Sequence, residues 1–371
     1  MKRILVIGLS SNLGGVECFI MNYFRNIDKT KISMDFLIYE EHCVFEDEII
    51  RSGCTIYRIV EPRYKRICGF IRDRNELFKK LAQIYDTIWL NDCSLANACD
   101  LMAAKRYGFK KRIFHSHNNR HMRNDKKKKF YEIVHNLNKI FIDKWATDFW
   151  ACSYEAGKFC FPKKILEGKH FRIIPNAIEM DKYYYDPCIR EEYRNKYEVD
   201  KKIVIGNVGR LHFQKNQTFL IDIFGAFVKM HTNAELWIIG DGDDRKQLEE
   251  KVHKLGIDSK VKFMGIRNDI SHLMQAMDVF IFPSVFEGLG IVLIEAQTAG
   301  LKVFASKKVI PASVKITESL TFVPLENSAM EWAKIVEDAL DGCGRRNLKN
   351  ELEHNEFNIK WAAKELENLL G

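Results

Sequence analysis

The feature that most constrains the fold is an alternation of short apolar runs with longer amphipathic stretches along the whole chain. A strand buried on both faces of a sheet is a continuous apolar run, whereas a helix that covers the sheet carries one apolar stripe. The apolar runs at residues 3–7 and 203–208 are each followed by a helical stretch, at residues 16–26 and 215–230. This order is typical of α/β proteins with parallel sheets, so we predict that class.

Thirteen apolar runs predict strands, and they form two series of similar construction. The first comprises residues 3–7, 34–38, 55–59, 87–90, 113–116, 149–152 and 172–174, and the second comprises residues 203–208, 235–239, 261–264, 279–282, 302–305 and 321–323. Each series predicts one doubly wound, Rossmann-like sheet. Two such domains facing across a cleft would bind a ligand at the carboxyl ends of their strands.

The segment between the two series, residues 179–199, is polar and aromatic without a strand pattern, and it predicts a linker. We therefore expect an N-terminal domain at residues 1–180 and a C-terminal domain at residues 181–355. The last segment, residues 356–371, has the spacing of an amphipathic helix, which we expect to pack back on the N-terminal domain.

Composition and charge exclude several classes of protein. No apolar run among the 371 residues approaches the roughly 20 residues that a membrane-spanning helix needs. The ten cysteines form no C-x-x-C pair and no Cys/His cluster with zinc spacing, which favours reduced thiols in a cytosolic protein. The net charge of +8 is uneven, because residues 1–180 carry 32 basic and 21 acidic residues. This excess indicates an anionic partner for the N-terminal half, or else a solvated basic face.

The stretch FPSVFEGLGIVLIEAQTAGL, residues 282–301, places Glu287 and Glu295 among apolar residues that we expect to be buried. A buried carboxylate without a hydrogen-bond donor is costly, so either the protein or a ligand must supply donors. The turn Gly288-Leu289-Gly290 can wrap a phosphate with its N–H groups at the start of the helix that we predict at residues 289–299. We interpret the missing donors as ligand hydroxyl groups, those of a ribose at Glu295 and of a sugar at Glu287.

Two further turns follow predicted strands and carry glycines or cations. The turn after the first strand contains the adjacent Gly14 and Gly15, which allow a ligand to approach the backbone, although the spacing is not G-x-G-x-x-G. After the strand at residues 203–208, Arg210 and Lys215 lie beside backbone N–H groups that we expect to be exposed. Two such cations make a diphosphate clamp, unless surface carboxylates pair with them.

Together these motifs establish a family resemblance that extends over nearly the whole chain. It is carried, in order, by GGVE at residues 14–17, FHSHNN at 114–119, IIPNAI at 173–178, GNVGRLHFQKN at 206–216, LWIIGDGDDR at 236–245, VKFMG at 261–265 and the E-x₇-E pair Glu287 and Glu295. The chain resembles the retaining glycosyltransferases of family 4, which have the GT-B fold. Within that family it is similar to bacterial enzymes of capsular and exopolysaccharide synthesis.

The resemblance implies a role for each matched position. Arg210 and Lys215 would hold the donor diphosphate, with Gly14 and Gly15 in contact with it, and Gly288, Leu289 and Gly290 would line the phosphate. Glu287 would hold the donor sugar and Glu295 the ribose. Gly265 and Ile266 would lie near the base. Glu287 would therefore be a catalytic residue in contact with the reacting sugar, whereas Glu295 would bind the donor away from that sugar.

The resemblance also places an active-site histidine at the end of a strand in the N-terminal half, near the transferred sugar. The strand-end position favours His117, but alternation along the strand does not exclude His115. No carboxylate of this half stands out as a nucleophile, so the family's front-face transfer with retention is expected, with electrostatic stabilisation of the leaving diphosphate. Asp241 and Asp243 spell D-x-D where the family has a glycine-rich turn, and we expect neither a metal nor a cofactor.

The expected reaction moves a hexose or an N-acetylhexosamine from a UDP-linked sugar to a glycan or lipid-linked acceptor in cell-surface polysaccharide synthesis. Polymer-building members of the family act at the inner face of the cytoplasmic membrane, and the basic run Lys126, Lys127, Lys128 and Lys129 suits an anionic lipid surface. The apolar stripe that follows, within residues 130–141, could instead pack on the core. We expect a cytoplasmic enzyme in peripheral membrane contact, with no nucleic-acid partner.

Three alternatives compete with this interpretation. The chain could be a non-catalytic partner that uses the fold to recruit a second glycosyltransferase, but the intact Arg210, Lys215, Glu287 and Glu295 argue against that role. It could have another activity on the same fold, such as nucleotide-sugar epimerisation. A nicotinamide dehydrogenase is disfavoured because neither half has the G-x-G-x-x-G spacing.

Overall fold

The computed structural model describes residues 1–60, 67–119, 127–340 and 344–371. These residues form two compact units: unit 1 is Met1–Ala177 together with Ile359–Gly371, and unit 2 is Ile178–Asn358. Each unit is a parallel sheet with apolar clusters on both faces, so the predicted fold class of two doubly wound α/β domains is confirmed.

Unit 1 has a seven-stranded parallel sheet in the order β3-β2-β1-β4-β5-β6-β7. Its strands are β1 (Lys2–Ile7), β2 (Ile32–Ile38), β3 (Ile56–Arg58), β4 (Thr87–Asp92), β5 (Lys111–Ser116), β6 (Asp148–Ala151) and β7 (Phe171–Ile173). Its helices up to β7 are α1 (Gly15–Asn26), α2 (Glu46–Arg51), α3 (Ile67–Leu81), α4 (Cys99–Tyr107), α5 (Lys128–Phe141), α6 (Tyr154–Cys160) and α7 (Lys163–Leu166).

Unit 2 has a six-stranded parallel sheet in the order β10-β9-β8-β11-β12-β13. The strands are β8 (Ile203–Val208), β9 (Ala234–Ile239), β10 (Val261–Gly265), β11 (Val279–Phe282), β12 (Lys302–Ser306) and β13 (Leu320–Val323). The helices are α8 (Pro187–Lys196), α9 (Gln217–Met230), α10 (Arg245–Lys254), α11 (Ile270–Ala276), α12 (Ile291–Thr298), α13 (Ala329–Asp338) and α14 (Lys349–Leu352). All thirteen predicted strands overlap one of these observed strands.

The central strand β1 shows how one apolar run serves two cores. Ile4 and Val6 belong to the cluster on one face of the sheet, whereas Leu5 and Ile7 belong to the cluster on the other face. Successive side chains of a strand point to opposite faces, so a strand between two helical layers must be apolar throughout. The final helix of the chain, α15 (Ile359–Leu370), contributes to the first of these clusters and packs on α1.

The prediction that residues 179–199 form a linker is wrong. The segment contains a 3₁₀ turn, Met180–Lys182, and then α8, which packs on α11. Tyr193 is buried in a core cluster of unit 2, and the buried Arg194 donates to the Asp278 carboxylate at 3.1 Å. Tyr184 and Tyr193 of this segment are buried in the core, and on α8 the charged side chains masked the apolar face that carries Tyr193.

Two predicted helices are shorter than expected at their N-termini. We expected helices at residues 215–230 and 289–299, but α9 begins at Gln217 and α12 spans Ile291–Thr298. The residues before them, Asn216 (φ 56°) and Gly290 (φ 84°), have left-handed backbone conformations that interrupt a right-handed helix. Both interruptions leave loop residues at the carboxyl ends of neighbouring strands.

Candidate functional site

In unit 2 the turns after β8 and β11 are hydrogen-bonded to each other. These strands are neighbours at the point where the strand order reverses, which is where ligands bind in doubly wound sheets. The Gln214 amide donates to the Phe286 carbonyl oxygen at 3.0 Å, and the Val285 N–H donates to the Gln214 carbonyl oxygen at 2.8 Å. Asn216 donates to the Pro283 carbonyl oxygen at 3.1 Å. The two turns are therefore one braced structure, and it carries most of the predicted donor-binding residues.

Lys215 and Glu287 form a direct ion pair in this structure. The Lys215 Nζ lies 2.6 Å from Glu287 Oε1, and the two side chains are 19% and 7% exposed. The same Nζ lies 4.7 Å from the centroid of the Phe282 ring, which adds a cation–π contact. Gly209 leaves room for the lysine, since a Cβ there would lie 3.3 Å from Lys215 Cε. Two residues predicted to bind diphosphate and sugar are thus brought together.

Arg210 has a different environment from Lys215. Its guanidinium lies 3.6 Å from the Asp243 carboxylate, and these side chains are 70% and 83% exposed. An exposed pair of this kind contributes little to stability and yields readily to another anion. The structure therefore presents one cation in an exposed ion pair and one in a largely buried ion pair, and the alternative that a surface carboxylate pairs with a cation applies to Arg210.

The turn between β11 and α12 has backbone N–H groups available for an anion. Within the described chain, no acceptor lies on the N–H groups of Gly288, Leu289 or Gly290. The Leu289 side chain is buried in the core of unit 2, so a ligand could contact this residue only through its backbone. The first turn of α12, from Ile291 onward, adds the favourable field of a helix N-terminus.

Glu295 lies one turn inside α12 and is largely buried. Burial raises the pKa of its carboxyl group, while a hydrogen bond from the Tyr183 hydroxyl acts in the opposite direction. The chain itself therefore supplies donors to both carboxylates, Tyr183 to Glu295 and Lys215 to Glu287, so the premise that these donors are missing is wrong. The binding of ligand hydroxyl groups at the two carboxylates stays a prediction. Tyr183 lies in the segment that we predicted as a linker, and no spacing in the sequence connects it with Glu295.

The predicted base position, Gly265 and Ile266, lies at the carboxyl end of β10. Gly265 has a left-handed conformation (φ 66°) and accepts a hydrogen bond from the Gly240 N–H at 2.8 Å. A Cβ on Gly240 would collide with the Gly209 carbonyl oxygen, so the turns after β8, β9 and β10 pack backbone to backbone. The Ile266 side chain is 81% exposed beside these turns.

Within the described residues, the D-x-D sequence has no partner that would complete a metal site. Asp241 accepts a hydrogen bond from the Gly242 N–H at 2.8 Å, and Asp243 pairs with Arg210. Among the residues that the structure describes, no group of three or more His, Cys, Asp or Glu side chains could hold a metal ion.

In unit 1 the two glycines after β1 have different environments. A Cβ on Gly14 would lie 2.7 Å from the Glu17 carboxylate, which accepts a hydrogen bond from the Ser10 hydroxyl at 2.6 Å. A side chain at position 14 would therefore displace the Glu17 carboxylate. A Cβ on Gly15 would meet nothing within 4 Å, and so this glycine leaves the N-terminus of α1 open.

The two candidate histidines are stacked on each other, with their ring centroids 4.3 Å apart. His115 is fully buried, and burial holds its pKa well below the usual value. Among the described residues, neither of its ring nitrogens has a hydrogen-bond partner. His117 is partly exposed, its Nε2 lies 3.0 Å from Asn91 Oδ1, and burial lowers its pKa to about 3. Only His117 is accessible to a ligand.

Sequence reasoning missed Asn91 and Asp92, which end β4 beside β1, where the strand order of this sheet reverses. They line a cavity of about 270 Å³ together with Gly8, Glu17 and Asp100. Burial raises the pKa of Asp92 to about 6, although its carboxylate accepts hydrogen bonds from two backbone N–H groups. Two polar residues directly after the apolar run at 87–90 are the signal that could have identified this strand end.

The helix α5 turns its apolar face toward solvent. Its apolar side chains that are 40–65% exposed are Phe130, Ile133, Leu137, Ile140 and Phe141. The opposite face is bound to the unit through polar contacts of His135, Asn138 and Lys139. The alternative that this stripe packs on the core is therefore wrong.

The predicted basic run lies at the start of this helix. Lys127, Lys128 and Lys129 are exposed, whereas Lys126 lies outside the described residues. Within the described chain, no helix has both the length and the apolar character that crossing a membrane requires.

Comparison with known proteins adds evidence of three kinds. Residues 189–355 match the family described as Glycosyl transferases group 1. The putative glycosyltransferase EpsF of Bacillus subtilis (strain 168) is 27% identical over 337 residues, which are 90% of this chain and 87% of that protein. The Escherichia coli protein named UDP-Gal:alpha-D-GlcNAc-diphosphoundecaprenol alpha-1,3-galactosyltransferase is 27% identical over 191 residues, 48% of each chain.

A solved structure extends the fold comparison to the whole chain. The structure of Anabaena Alr3699/HepE in complex with UDP aligns with a TM-score of 0.70 at 19% identity, and the alignment covers 100% of this chain and 95% of that chain. At this identity the likeness concerns the fold. With the family match over residues 189–355 and the relatives named above, it supports a glycosyltransferase of the GT-B fold.

Proposed function

We propose that this chain is a retaining glycosyltransferase of family 4 that transfers a hexose or an N-acetylhexosamine from a UDP-linked sugar. The acceptor is a glycan or a lipid-linked saccharide of cell-surface polysaccharide synthesis. The observation that carries the proposal is the braced pair of turns in unit 2, which gathers Arg210, the Lys215–Glu287 pair and free N–H groups at one strand-order reversal. A named relative that uses UDP-Gal with a diphosphoundecaprenol acceptor supports the substrate class.

The donor would be bound by charge and by backbone. The diphosphate is dianionic, and Arg210 together with the N–H groups of Gly288, Leu289 and Gly290 offers it charge-assisted hydrogen bonds. Glu295 would then exchange the Tyr183 hydroxyl for hydroxyl groups of the ribose, while Glu287 would receive a hydroxyl of the donor sugar.

In this proposal the acceptor attacks the front face of the donor sugar, and catalysis is electrostatic. The bond between the anomeric carbon and the diphosphate oxygen breaks, and the leaving oxygen carries negative charge that Arg210, Lys215 and the α12 N-terminus stabilise. The acceptor hydroxyl attacks from the same face and transfers its proton to the leaving diphosphate. No metal and no cofactor is assigned to this step. In unit 1, we assign His117 to a contact with the transferred sugar, and Gly14 and Gly15 to contacts with the donor diphosphate.

Ligand-dependent thermal stabilisation of the full chain tests the donor assignment. A nucleotide at 100 times its Kd should stabilise the chain by about 2.7 kcal/mol. We expect stabilisation by UDP and UDP-sugars with EDTA present, no comparable effect of GDP, ADP or NAD, and loss of the effect in Glu295→Gln. The control is Glu318→Gln, which changes a fully solvated glutamate of the same unit (96% exposed) and should respond like the wild-type chain.

Product analysis then distinguishes the activities that share the fold. A radiolabelled UDP-sugar incubated with lipid-linked acceptors should give a glycan product with retained anomeric configuration. A free epimer would indicate epimerisation, and absence of donor cleavage together with an obligate copurified subunit would indicate the recruiting partner. No response to any nucleotide in the thermal experiment would exclude the transferase proposal itself.

We further propose that α5 places the enzyme at the inner face of the cytoplasmic membrane. The faces of this helix are the reverse of the usual arrangement, because its polar residues contact the protein and its apolar residues contact solvent. Lys127, Lys128 and Lys129 lie at its start, and the Lys144 ammonium lies over the Phe141 ring just after its end. An apolar stripe with cations at its borders is the pattern of a helix that lies in the interface of an anionic bilayer.

Vesicle sedimentation tests this surface. We expect binding to vesicles that contain phosphatidylglycerol, weaker binding to phosphatidylcholine vesicles, and a decrease with salt because each lysine near the surface contributes about 1 kcal/mol. The substitution Leu137→Asp should reduce binding at least about tenfold. Met102→Asp is the matched control, since Met102 is a comparably exposed apolar residue (45%) on α4. Equal loss in both variants would contradict the assignment to α5, as would equal binding to both vesicle types.

A further inference from the structure

Among the described residues, the Asn91 side chain is hydrogen-bonded to the His117 ring, and the orientation of the Asn91 amide is fixed by a second hydrogen bond. Asn91 is buried at the end of β4, and its Nδ2 donates to the Ile7 carbonyl oxygen at 3.2 Å. With Nδ2 committed to Ile7, the atom of Asn91 that lies 3.0 Å from His117 Nε2 is Oδ1. An amide oxygen only accepts hydrogen bonds, so Nε2 of His117 must carry the proton.

The other ring nitrogen is left as an acceptor. Burial lowers the pKa of His117 to about 3, so the ring is neutral and carries a single proton at physiological pH. With that proton on Nε2, Nδ1 has a free lone pair. In the part of the chain that the structure describes, no donor contacts Nδ1, and the ring is partly exposed.

We propose that Asn91 is a positioning residue that fixes His117 in its Nε2–H tautomer, so that Nδ1 accepts a hydrogen bond from a sugar hydroxyl group. The identity of that hydroxyl rests on the proposed function, whereas the tautomer does not. The hydroxyl proton would point toward Nδ1, and the oxygen lone pairs would point away from the ring. In the opposite tautomer, Nδ1 would carry the proton and would donate to the same hydroxyl group. The oxygen of that hydroxyl would then face the ring.

The chain contains an internal reference for this tautomer. His135, on α5, accepts a hydrogen bond from the Leu95 N–H at Nδ1, with a distance of 3.0 Å. Its Nε2 lies 3.0 Å from the Phe159 carbonyl oxygen, which can only accept. His135 is therefore in the Nε2–H form through contacts that do not involve Asn91.

Imidazole ¹⁵N NMR spectroscopy of the unliganded full chain tests the proposal. We expect His117 and His135 both to show the Nε2–H pattern in the wild-type chain. In Asn91→Ala the ratio of the two tautomers at His117 should fall about three- to tenfold, the factor of one ordinary hydrogen bond, while His135 is unchanged. A wild-type His117 protonated at Nδ1, or an unaltered ratio in Asn91→Ala, would overturn the proposal.

The conservative variant Asn91→Asp keeps an acceptor for Nε2 and provides a second readout. It should retain the Nε2–H tautomer of the neutral ring and raise the pKa of His117, because a carboxylate favours the imidazolium. This titration decides the question if Asn91→Ala does not fold. An unchanged pKa would show that residue 91 does not contact Nε2 and would overturn the proposal.

Activity separates this inference from the proposed function. If the tautomer behaves as expected but UDP does not bind, the proposed function fails and the positioning of His117 stands. In an active chain, Asn91→Ala should lower kcat about tenfold with little change in the donor KM, as expected for one hydrogen bond realised in the transition state. An unchanged kcat in that variant would overturn the role of Nδ1.

Discussion

Neutralising one partner of the Lys215–Glu287 pair should destabilise unit 2 far more than neutralising one partner of the Arg210–Asp243 pair. Both pairs involve the turn after β8, but the first has a separation of 2.6 Å with side chains 19% and 7% exposed. The second has a separation of 3.6 Å with side chains 70% and 83% exposed. Removing one partner of a buried pair leaves an uncompensated charge, whereas water solvates what remains of an exposed pair.

The size of the effect follows from the residual exposure. Removing one partner of a fully buried pair costs about 3–5 kcal/mol, and water that reaches Lys215 should lower this to about 2–4 kcal/mol for Glu287→Gln. The cycle formed by Lys215→Met, Glu287→Gln and the double variant should give a coupling energy of about 1–3 kcal/mol. The cycle of Arg210→Met and Asp243→Asn should give a value close to zero.

Hydrogen exchange of the β8 amides across a urea series measures the unfolding of unit 2 separately from that of unit 1. Nucleotides must be absent, because binding would add to the free energy of unfolding. Equal coupling energies in the two cycles would refute the reasoning from burial. So would a value for the Lys215–Glu287 cycle below about 0.5 kcal/mol, which is the usual error of additivity.

Three further outcomes are expected. Gly14→Ala should lower the Tm, because its Cβ would lie 2.7 Å from the Glu17 carboxylate, whereas Gly15→Ala should leave the Tm unchanged in the same calorimetric scan. Burial raises the pKa of Glu295 above 4.5, so the folded chain binds more protons than the unfolded chain above that pH, and stability should fall as the pH rises. Glu295→Gln should remove this part of the pH dependence of urea unfolding. The Arg345 guanidinium donates to carbonyl groups at the ends of α11 and α12, and Arg345→Met should lower the free energy of unfolding by about 3 kcal/mol.

The sheet architecture could be predicted from the sequence because its signal is local. A strand that is buried between two helical layers needs apolar side chains on both of its faces, as residues 4–7 of β1 show, and an amphipathic helical stretch separates it from the next strand. The predicted helix boundaries were less accurate where a single residue in a left-handed conformation sets the start of the helix. Asn216 takes that conformation while its side chain binds the turn after β11, and nothing within its own helix indicates this contact.

The partners of the candidate site could not be predicted, because they come from distant segments. Glu287 and Lys215 were each singled out by their local motifs, but their contact depends on the hydrogen bonds that brace two turns. Tyr183 reaches Glu295 from a segment that we had interpreted as a linker. The roles of these residues in binding a donor stay predictions, since stacking and hydrogen bonding within the unliganded chain do not identify a ligand.

The count of charged residues and the structure lead to different conclusions about which anionic partner the N-terminal half binds. Among the residues that the structure describes, the lining of the cavity at the strand-order reversal of unit 1 includes the carboxyl groups of Glu17, Glu40, Asp92 and Asp100 and no lysine or arginine. An anionic diphosphate is disfavoured there, and a neutral polyhydroxyl group that can donate to carboxylates is favoured. The exposed lysines at the start of α5 lie outside that lining. The exposed lysines at the start of α5 thus fit the proposed lipid surface better than the proposed sugar nucleotide, for which unit 2 offers Arg210 and the backbone N–H groups of the turn after β11.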